Sequence, residues 1–240
     1  MPLPKLKTPI FETILPSTGK VFKYRPFLVK EEKILLTALE DESGESLPIA
    51  IKQIINNCVQ GKLDVEDLPT FDIEYLFLRL RAKSIGEKVT LGLKPWGCPN
   101  NEKKLCPNFT KVELNLEEVN VQKKKGHTTK IMIDDQVGIK MKYPNADSLI
   151  PNEKSDTENG MNILKKSIDI VFTKDKTYER ESFTDKELDE FFDSLDSKQF
   201  KKIKNFFDDM PVLKHTVKYK CETCGEEKET VLQGLNSFFG

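Results

Sequence analysis

The residues of this chain that could do chemistry are four of its five cysteines. Cys221 and Cys224 form a C-x-x-C-G motif between two runs with the alternation of β-strands. Gly225 permits the positive φ that a tight turn requires. Two thiolates at this spacing can reach one ion from a single turn. The motif therefore predicts half of a tetrahedral zinc site.

The other half of this site is predicted at Cys98 and Cys106, which also lie between two strand-like runs. Seven residues separate them, a wider spacing than C-x-x-C. We expect the two cysteine-bearing hairpins to face each other in a zinc-ribbon-like site with four thiolate ligands, Cys98, Cys106, Cys221 and Cys224. Four protein ligands leave no position for water or substrate, so the predicted role is structural. The ligand types do not distinguish zinc from iron.

Other interpretations of the cysteines stay open at this point. They are a surface C-x-x-C with two unrelated thiols, a redox pair, and a mixed site that uses His215. A redox pair is the weakest of these, because no thioredoxin-like strand–helix context surrounds the motif. An odd count of five cysteines speaks against a disulfide framework. The fifth, Cys58, lies among apolar residues and is predicted to be buried in a helix.

No catalytic constellation is visible elsewhere in the sequence. His127 lies in a lysine-rich loop and His215 on a predicted strand, with no obvious nucleophilic partner. Asp134-Asp135 and Asp208-Asp209 are typical of a turn and a helix end, and Lys123–Lys125 of a solvated loop. The dinucleotide, P-loop and H-E-x-x-H motifs are absent. We therefore expect a protein that is not an enzyme.

The elements that must position the cysteines predict an α+β fold of helices and antiparallel hairpins. The predicted parts are an N-terminal hairpin at 1–27, a helical unit at 28–87, a β-rich zinc-ribbon-like part at 88–142 and 212–240, and a linker and helical insertion at 143–211. Within the insertion, helices are predicted at about 161–171, after a capping box at Thr184–Glu187, and from Ser197.

Composition limits the function classes. The 240 residues carry 38 Lys and Arg against 39 Asp and Glu, a net charge of -1. A generic nucleic-acid binder needs a basic surplus for phosphate contacts, so nucleic acid is not an expected partner. The N-terminus has no signal-peptide pattern, and no apolar run approaches the ~20 residues that span a bilayer. We therefore expect a protein of the reducing cytoplasm.

The C-terminal residues are predicted to bind a partner. Exposed phenylalanines at a chain terminus are unusual, so Phe238 and Phe239 either dock back on the protein or anchor another molecule. The residues assigned to this anchor are Leu235, Phe238 and Phe239.

Several stretches carry a family resemblance. They are Leu3-Pro4-Lys5-Leu6, Leu15–Gly19 (LPSTG), Tyr24–Lys33 (YRPFLVKEEK), Phe71–Ser84 (FDIEYLFLRLRAKS), the cysteine pairs and the ending Leu235–Phe239. Together these resemble the baseplate hub subunit family of T4-like contractile-tailed bacteriophages. The resemblance implies a virion-assembly role, as a hub component or as an assembly factor (chaperone). It also implies other baseplate and hub proteins as partners, and the host cytoplasm and tail baseplate as locations.

A second functional hypothesis is a zinc-ribbon nucleic-acid-binding protein, such as a phage transcription or replication factor. The charges around the predicted site separate the two hypotheses. The loop around Cys98 carries lysines and the loop after Cys224 carries glutamates, namely Lys94, Lys103, Lys104, Glu226, Glu227 and Glu229. This mixed ring favours protein contact over phosphate contact.

Overall fold

The computed structural model describes residues 6–41, 46–61, 63–94, 109–145 and 156–238. The chain divides into two compact units. Unit 1 comprises Met1–Val65, Phe71–Gln122 and Val212–Gly240, and unit 2 comprises Glu66–Thr70 and Lys123–Pro211. The predicted mixture of helices and antiparallel sheets is confirmed. Within the described ranges, no helix combines the length and apolar character needed to cross a membrane.

Unit 1 begins with the predicted hairpin. Strands β1 (Phe11–Ile14) and β2 (Val21–Tyr24) pair antiparallel, and β3 (Val59–Gln60) adds to β2 as a third strand. The turn between β1 and β2 closes where the Gly19 N–H donates to the Leu15 carbonyl at 2.8 Å. Gly19 has a φ of 70°, which a glycine adopts without steric cost.

Three helices follow as the apolar periodicity predicts: α1 (Val29–Leu39), α2 (Ser46–Cys58) and α3 (Thr70–Ser84). Ile73, Leu76, Phe77 and Leu80 recur at helical spacing and form one apolar stripe of α3. The structure buries nearly the whole helix, including Leu78, Arg79 and Ala82, which lie off that stripe. A helix that is buried all round must satisfy its polar side chains inside the protein. α3 is therefore the central element of unit 1.

The segment after α3 carries the first predicted cysteine hairpin. Strands β4 (Lys88–Leu93) and β5 (Thr110–Asn115) pair antiparallel, with Leu93 opposite Thr110 at the end of the ladder. A short 3-10 helix (Leu116–Glu118) and β6 (Asn120–Gln122) complete this part of unit 1.

Unit 2 is one sheet with helices against it. Its strands are β7 (Lys130–Met132), β8 (Val137–Met141), β9 (Ile168–Thr173) and β10 (Thr177–Glu179), in the order β10-β9-β8-β7. Its helices are α4 (Asp156–Lys166), α5 (Asp185–Asp193) and α6 (Ser197–Asp208). A 3-10 helix (Arg180–Ser182) precedes α5. The core consists of Ile133, Ile139, Met141, Leu164, Ile168, Leu188, Phe192, Ile203 and Phe206.

The prediction of a helix at about 161–171 is wrong in its second half. α4 ends at Lys166, and Ile168–Thr173 form β9 in the middle of the sheet. β-Branched residues favour strands, and this strand has β8 on one side and β10 on the other. Residues 143–211 are thus more than a linker and helical insertion.

The unit boundary also differs from the predicted one. Residues 130–141, at the end of the β-rich part predicted at 88–142, form a hairpin, but its contacts lie with β9 and α4–α6 in unit 2. The division of the chain falls between Gln122 and Lys123, twenty residues before the boundary expected at 142/143. Periodicity identifies a hairpin but does not show what it packs against.

The two helix starts predicted in unit 2 are confirmed. Thr184 caps α5: its Oγ1 accepts the Glu187 N–H at 3.3 Å, and Glu187 Oε2 accepts the Thr184 N–H at 2.7 Å. Asp196 caps α6 by accepting the backbone N–H groups of Lys198 and Gln199. These side chains satisfy donors that have no partner inside the first helical turn.

The chain then returns to unit 1 with the second cysteine hairpin. Strands β11 (Val212–Lys220) and β12 (Glu227–Gln233) pair antiparallel, and the start of β11 also pairs with β6. A 3-10 helix (Leu235–Phe238) ends the described chain.

Candidate functional site

The turn that joins β11 to β12 holds Cys221 and Cys224. The Cys221 N–H donates to the Glu226 carbonyl at 2.9 Å, and the Gly225 N–H donates to the Cys221 carbonyl at 2.8 Å. Gly225 has a φ of 73°, as the sequence indicated. The two cysteines pack against each other, Cys221 buried and Cys224 half-buried. The backbone of this turn therefore brings both sulfur-bearing side chains to one place.

This turn lies beside the end of the β4–β5 hairpin. The Glu222 N–H donates to Thr110 Oγ1 at 3.3 Å, and the Lys111 N–H donates to Glu222 Oε1 at 3.2 Å. Thr110 is itself buried and is the last residue paired with β4, opposite Leu93. Glu222 is thus hydrogen-bonded to Thr110 and Lys111, which lie more than a hundred positions earlier in the sequence.

The predicted ligands Cys98 and Cys106 lie outside the described residues. They belong to the connection between Leu93 and Thr110, whose two ends are the strand ends just described. Among the residues that the structure describes, no group of three or more His, Cys, Asp and Glu side chains could hold a metal ion. The described part of the chain therefore supplies two of the four predicted ligands.

Cys58 is the buried residue that the sequence predicts. It ends α2 with 1% of its surface exposed, and burial raises the pKa of its thiol to about 11. A thiol with this pKa is protonated at neutral pH, and the thiolate is the reactive form. Cys58 thus belongs to the core of unit 1.

His127 packs in an aromatic cluster of unit 2. Its ring lies 5.7 Å from that of Tyr143 and 5.2 Å from that of Phe206, and Nε2 is 3.0 Å from the Tyr143 hydroxyl. Burial lowers the pKa of His127, and the charge of Lys123 lowers it further. These ring contacts place His127 in the packing of unit 2.

The acidic pairs occupy a turn and a helix end, as predicted. Asp134 Oδ1 accepts the backbone N–H groups of Gln136 and Val137 at 2.8 and 2.7 Å, which lowers the pKa of its carboxyl. Asp208 is the last residue of α6, and Asp209 follows as its C-cap. The two pairs therefore complete local structure.

The sequence did not identify the buried carboxylates of unit 1. Glu31 is fully buried and accepts hydrogen bonds from Arg25 Nη2 at 2.9 Å and from the Leu28 N–H at 2.9 Å. Burial alone would raise the pKa of Glu31, but these donors hold it below its usual value. Arg25 also donates to the Asn57 carbonyl at 2.9 Å. This ion pair thus ties β2, α1 and α2 together.

A second buried carboxylate fixes the β1–β2 turn. Asp72 accepts the backbone N–H of Ser17 at 3.1 Å and the Ser17 hydroxyl. Its side chain is fully buried, and this burial raises the pKa of the carboxyl. The sequence indicated an acidic residue suited to the positive end of α3, but the contact with Ser17 depends on the tertiary fold.

The predicted partner anchor is packed against its own unit. Leu235 is 8% exposed and Phe238 is fully buried, while Phe239 lies outside the described residues. The Leu235 N–H donates to Glu74 Oε1 of α3 at 3.0 Å. The structure thus has the docked-back arrangement, one of the two that the sequence left open. Side chains that are buried in this way offer a partner almost no surface.

Apolar surface is exposed instead on α1 and α2. Val29, Leu36, Leu39 and Ile49 are each more than half exposed. Beside them, a groove of about 420 Å³ between the two helices is lined by Lys33, Ile34, Thr37, Ala38, Ser46, Ile49, Ala50 and Gln53. Clustered exposed apolar residues are a common feature of protein–protein contact surfaces. In the sequence, nothing distinguishes these exposed apolar residues from the apolar residues of a helix core.

The comparisons with known proteins identify a single family. The chain matches the family described as T4 bacteriophage base plate protein over residues 8–240. Neither a curated protein nor a solved structure matches it. The match covers both units and both cysteine hairpins.

Proposed function

The chain belongs to the T4 bacteriophage base plate protein family, and we propose that it is a non-enzymatic assembly protein of the baseplate hub. It acts through contacts with other baseplate proteins, either as a hub subunit or as an assembly factor. The observation that carries this proposal is the family match over residues 8–240. The hub assignment is supported by the N-terminal motifs that resemble hub subunits.

Two features of the described structure support the proposal, one on binding and one on the absence of a catalytic role for the buried carboxylates. The exposed apolar residues of α1 and α2 offer a contact surface. The buried carboxylates Glu31 and Asp72 each hold elements of unit 1 together, as their hydrogen bonds show. Perturbed carboxylates can mark an active site, but ion pairs that stabilise a fold perturb them as well.

Fractionation of infected cells tests the assembly role. Baseplate intermediates and mature particles are purified separately and searched for the protein by mass spectrometry. Presence in both fractions supports a hub subunit, and presence in intermediates alone supports an assembly factor. Absence from both fractions would contradict the proposed function.

A structural zinc ion bound by Cys98, Cys106, Cys221 and Cys224 is the second part of the proposal. The support comes from the hydrogen bonds between the Cys221–Gly225 turn and Thr110 and Lys111, at the base of the connection that carries the other two cysteines. Cys98 is five residues from Leu93 and Cys106 is four residues from Thr110. At about 3.3–3.6 Å per residue, the chain lets both thiols reach the turn.

Four cysteine ligands would close this site. Zinc in such a site joins two hairpins that otherwise share a few hydrogen bonds, and it contributes directly to folding. Among the described residues, the apolar cluster at the turn consists of Cys221 and Cys224. A metal would add a covalent-like link between the two hairpins to the packing of these two side chains.

Metal analysis of the pure protein tests the site. We expect about one zinc per chain, lost in Cys224→Ser and retained in Cys58→Ala, the control at a cysteine outside the site. Chelation should lower the melting temperature of the wild-type protein, because metal binding is coupled to folding. Two results together would contradict the zinc site: no metal in the purified protein, and a melting temperature that chelator does not change. Bound iron in place of zinc would change only the identity of the metal.

The nucleic-acid hypothesis has less support. Three of the four lysines of the β11–β12 hairpin form ion pairs with glutamates, in the pairs Lys218–Glu229, Lys220–Glu227 and Lys228–Glu226. Lysines neutralised in this way attract phosphate weakly. Salt-sensitive binding of a labelled DNA duplex at micromolar protein would favour the nucleic-acid hypothesis over protein contact.

A further inference from the structure

Helix α6 carries a lysine face without local counter-charges. Lys198, Lys201 and Lys204 are exposed and recur at intervals of three residues along one side of α6. The ion pairs of unit 2 with both partners described join Lys124–Asp209, Lys140–Asp169, Lys165–Asp189, Arg180–Asp185 and Lys186–Glu190. Within the described ranges, these three lysines therefore have no carboxylate within ion-pair distance.

Most charges within α6 do not support the helix itself. Like charges three residues apart repel each other, as in the pairs Lys198–Lys201 and Lys201–Lys204. The cap Asp196 is favourable, but the first turn after it has no acidic residue, the last turn has no basic residue, and Asp208 lies at the negative end of the dipole. Helix stability thus does not account for the lysine face.

The first turns of α5 and α6 differ in charge, although the two helices pack on the same core. Asp185 and Glu187 lie in the first turn of α5, where the dipole favours them, and the capping box uses Glu187. The first turn of α6 carries Lys198 instead. Both helices end on an aspartate, Asp193 and Asp208, so the difference in charge lies at their N-terminal ends.

We propose that the lysine face of α6 is a docking site for an acidic surface of another baseplate protein. This inference rests on the proposed function in taking the partner to be a baseplate protein. The complementary charge is the argument for an acidic partner, because exposed lysines steer and orient an acidic surface during association. Lys202 is not part of the contact, since its Nζ donates to the carbonyls of Met132 and Ile133 at 3.0 and 2.8 Å.

The size of the face favours a protein over nucleic acid. Twelve residues make α6 about 18 Å long, about half of one DNA turn. Unit 2 also exposes four acids on α5, which oppose the binding of an extended polyanion to this unit: Asp185, Glu187, Glu190 and Asp193. A compact acidic surface meets the lysines without this repulsion.

Charge reversal tests the docking site. In Lys198→Glu/Lys201→Glu, the 198–201 pair stays like-charged, the 201–204 pair becomes attractive, and the first turn of α6 gains an acidic residue. We expect unfolding in urea at the same or a higher concentration, with at least a tenfold lower yield of infectious particles from phage that carries the variant. The control Lys174→Glu/Lys176→Glu changes the net charge equally at exposed lysines between β9 and β10, and should leave the yield near wild type.

A photo-crosslinking residue at position 201 identifies the occupant during infection. We expect crosslinks to a peptide rich in Asp and Glu from another baseplate protein, weakened by added salt in extracts. Crosslinks to DNA, to a second copy of this chain or to nothing would overturn the proposal, as would normal assembly of the charge-reversed variant. Absence of the protein from all assembly fractions would instead reject the proposed function.

Discussion

The two units of the protein differ in what they bury. Among the described residues, unit 2 buries one polar side chain, Ser167, and its core is apolar and aromatic. Unit 1 buries charged and polar side chains beside its apolar ones, namely Thr13, Glu31, Lys52, Asp72, Arg79 and Thr110. Both units are built from helices and antiparallel strands, so secondary structure does not explain the difference.

The difference shows two ways of fixing a fold. Arg79 of α3 donates to the Leu116 carbonyl at 3.0 Å and to Asn120 Oδ1 at 3.0 Å, which holds the chain after β5 in place. A buried charge of this kind is stabilised by particular partners, and removing one of them leaves an uncompensated buried charge, which lowers the free energy of unfolding. An apolar core depends on volume and shape, and tolerates swaps that keep both. Unit 1 should therefore be sensitive to lost partners, and unit 2 to changed volume.

The largest effect is expected for Glu31→Ala in unit 1. The substitution removes the carboxylate that accepts two hydrogen bonds from Arg25, at 2.9 and 3.3 Å. Breaking a buried ion pair from one side costs about 3–5 kcal/mol of unfolding free energy. Urea unfolding measures the loss. The exposed neighbour Glu32→Ala is the matched control, with an expected change within about 0.5 kcal/mol; equal losses in both variants would contradict this description of unit 1.

A smaller effect is expected for Gly138→Ala in unit 2. A Cβ at this position would lie 2.2 Å from Cζ and 2.5 Å from Cε2 of Phe172, whose ring occupies that space. Overpacking of this kind costs about 1–3 kcal/mol. Gly160→Ala in α4 is the control with the opposite sign, because nothing lies within 4 Å of its Cβ position. An alanine inside a helix should stabilise by about 0.5–1 kcal/mol, so a loss at Gly160 or none at Gly138 would count against volume as the limiting factor.

The smallest effect concerns pH. Because the pKa of His127 is lowered in the folded protein, the unfolded chain takes up a proton first as the pH falls. The stabilisation by neutral His127 is complete above about pH 6.5 and is lost as the pH falls through the folded-state pKa, at no more than about 1.4 kcal/mol per pH unit. His127→Phe keeps the ring contacts and should flatten the stability profile between pH 7.5 and 5.5.

Urea unfolding of both proteins at several pH values measures this profile. Identical slopes for wild type and His127→Phe would mean that other groups set the acid sensitivity of the protein.

Local patterns in the sequence predicted local structure well. The β1–β2 and β7–β8 hairpins, helices α1–α3, the cap of α5 and the start of α6 all lie where periodicity and capping residues indicate. The failures involve long-range contacts. Residues 168–171 continue an apolar pattern that fits a helix, and only pairing with β8 and β10 selects the strand.

The candidate site was predicted in part. The Cys221–Cys224 turn has the expected hairpin on both sides, and the β4–β5 hairpin flanks the other cysteine pair. The contact of Glu222 with Thr110 and Lys111 has no local signature in the sequence, although it is what joins the two hairpins. The partner anchor at Leu235 and Phe238 was predicted from apolar character alone, which does not distinguish a docked side chain from an exposed one.

The sequence by itself determined most helices and hairpins, the turn chemistry, the cysteine spacing and the family, since each depends on residues near one another or on their order. Only the tertiary structure decided which strand joins which unit, which carboxylates are buried, and which helix exposes its charges. The start of β11 pairs with β6, as at Val212 and Gln122, ninety residues away. Burial depends on such distant pairings, and a local pattern of residues does not specify them.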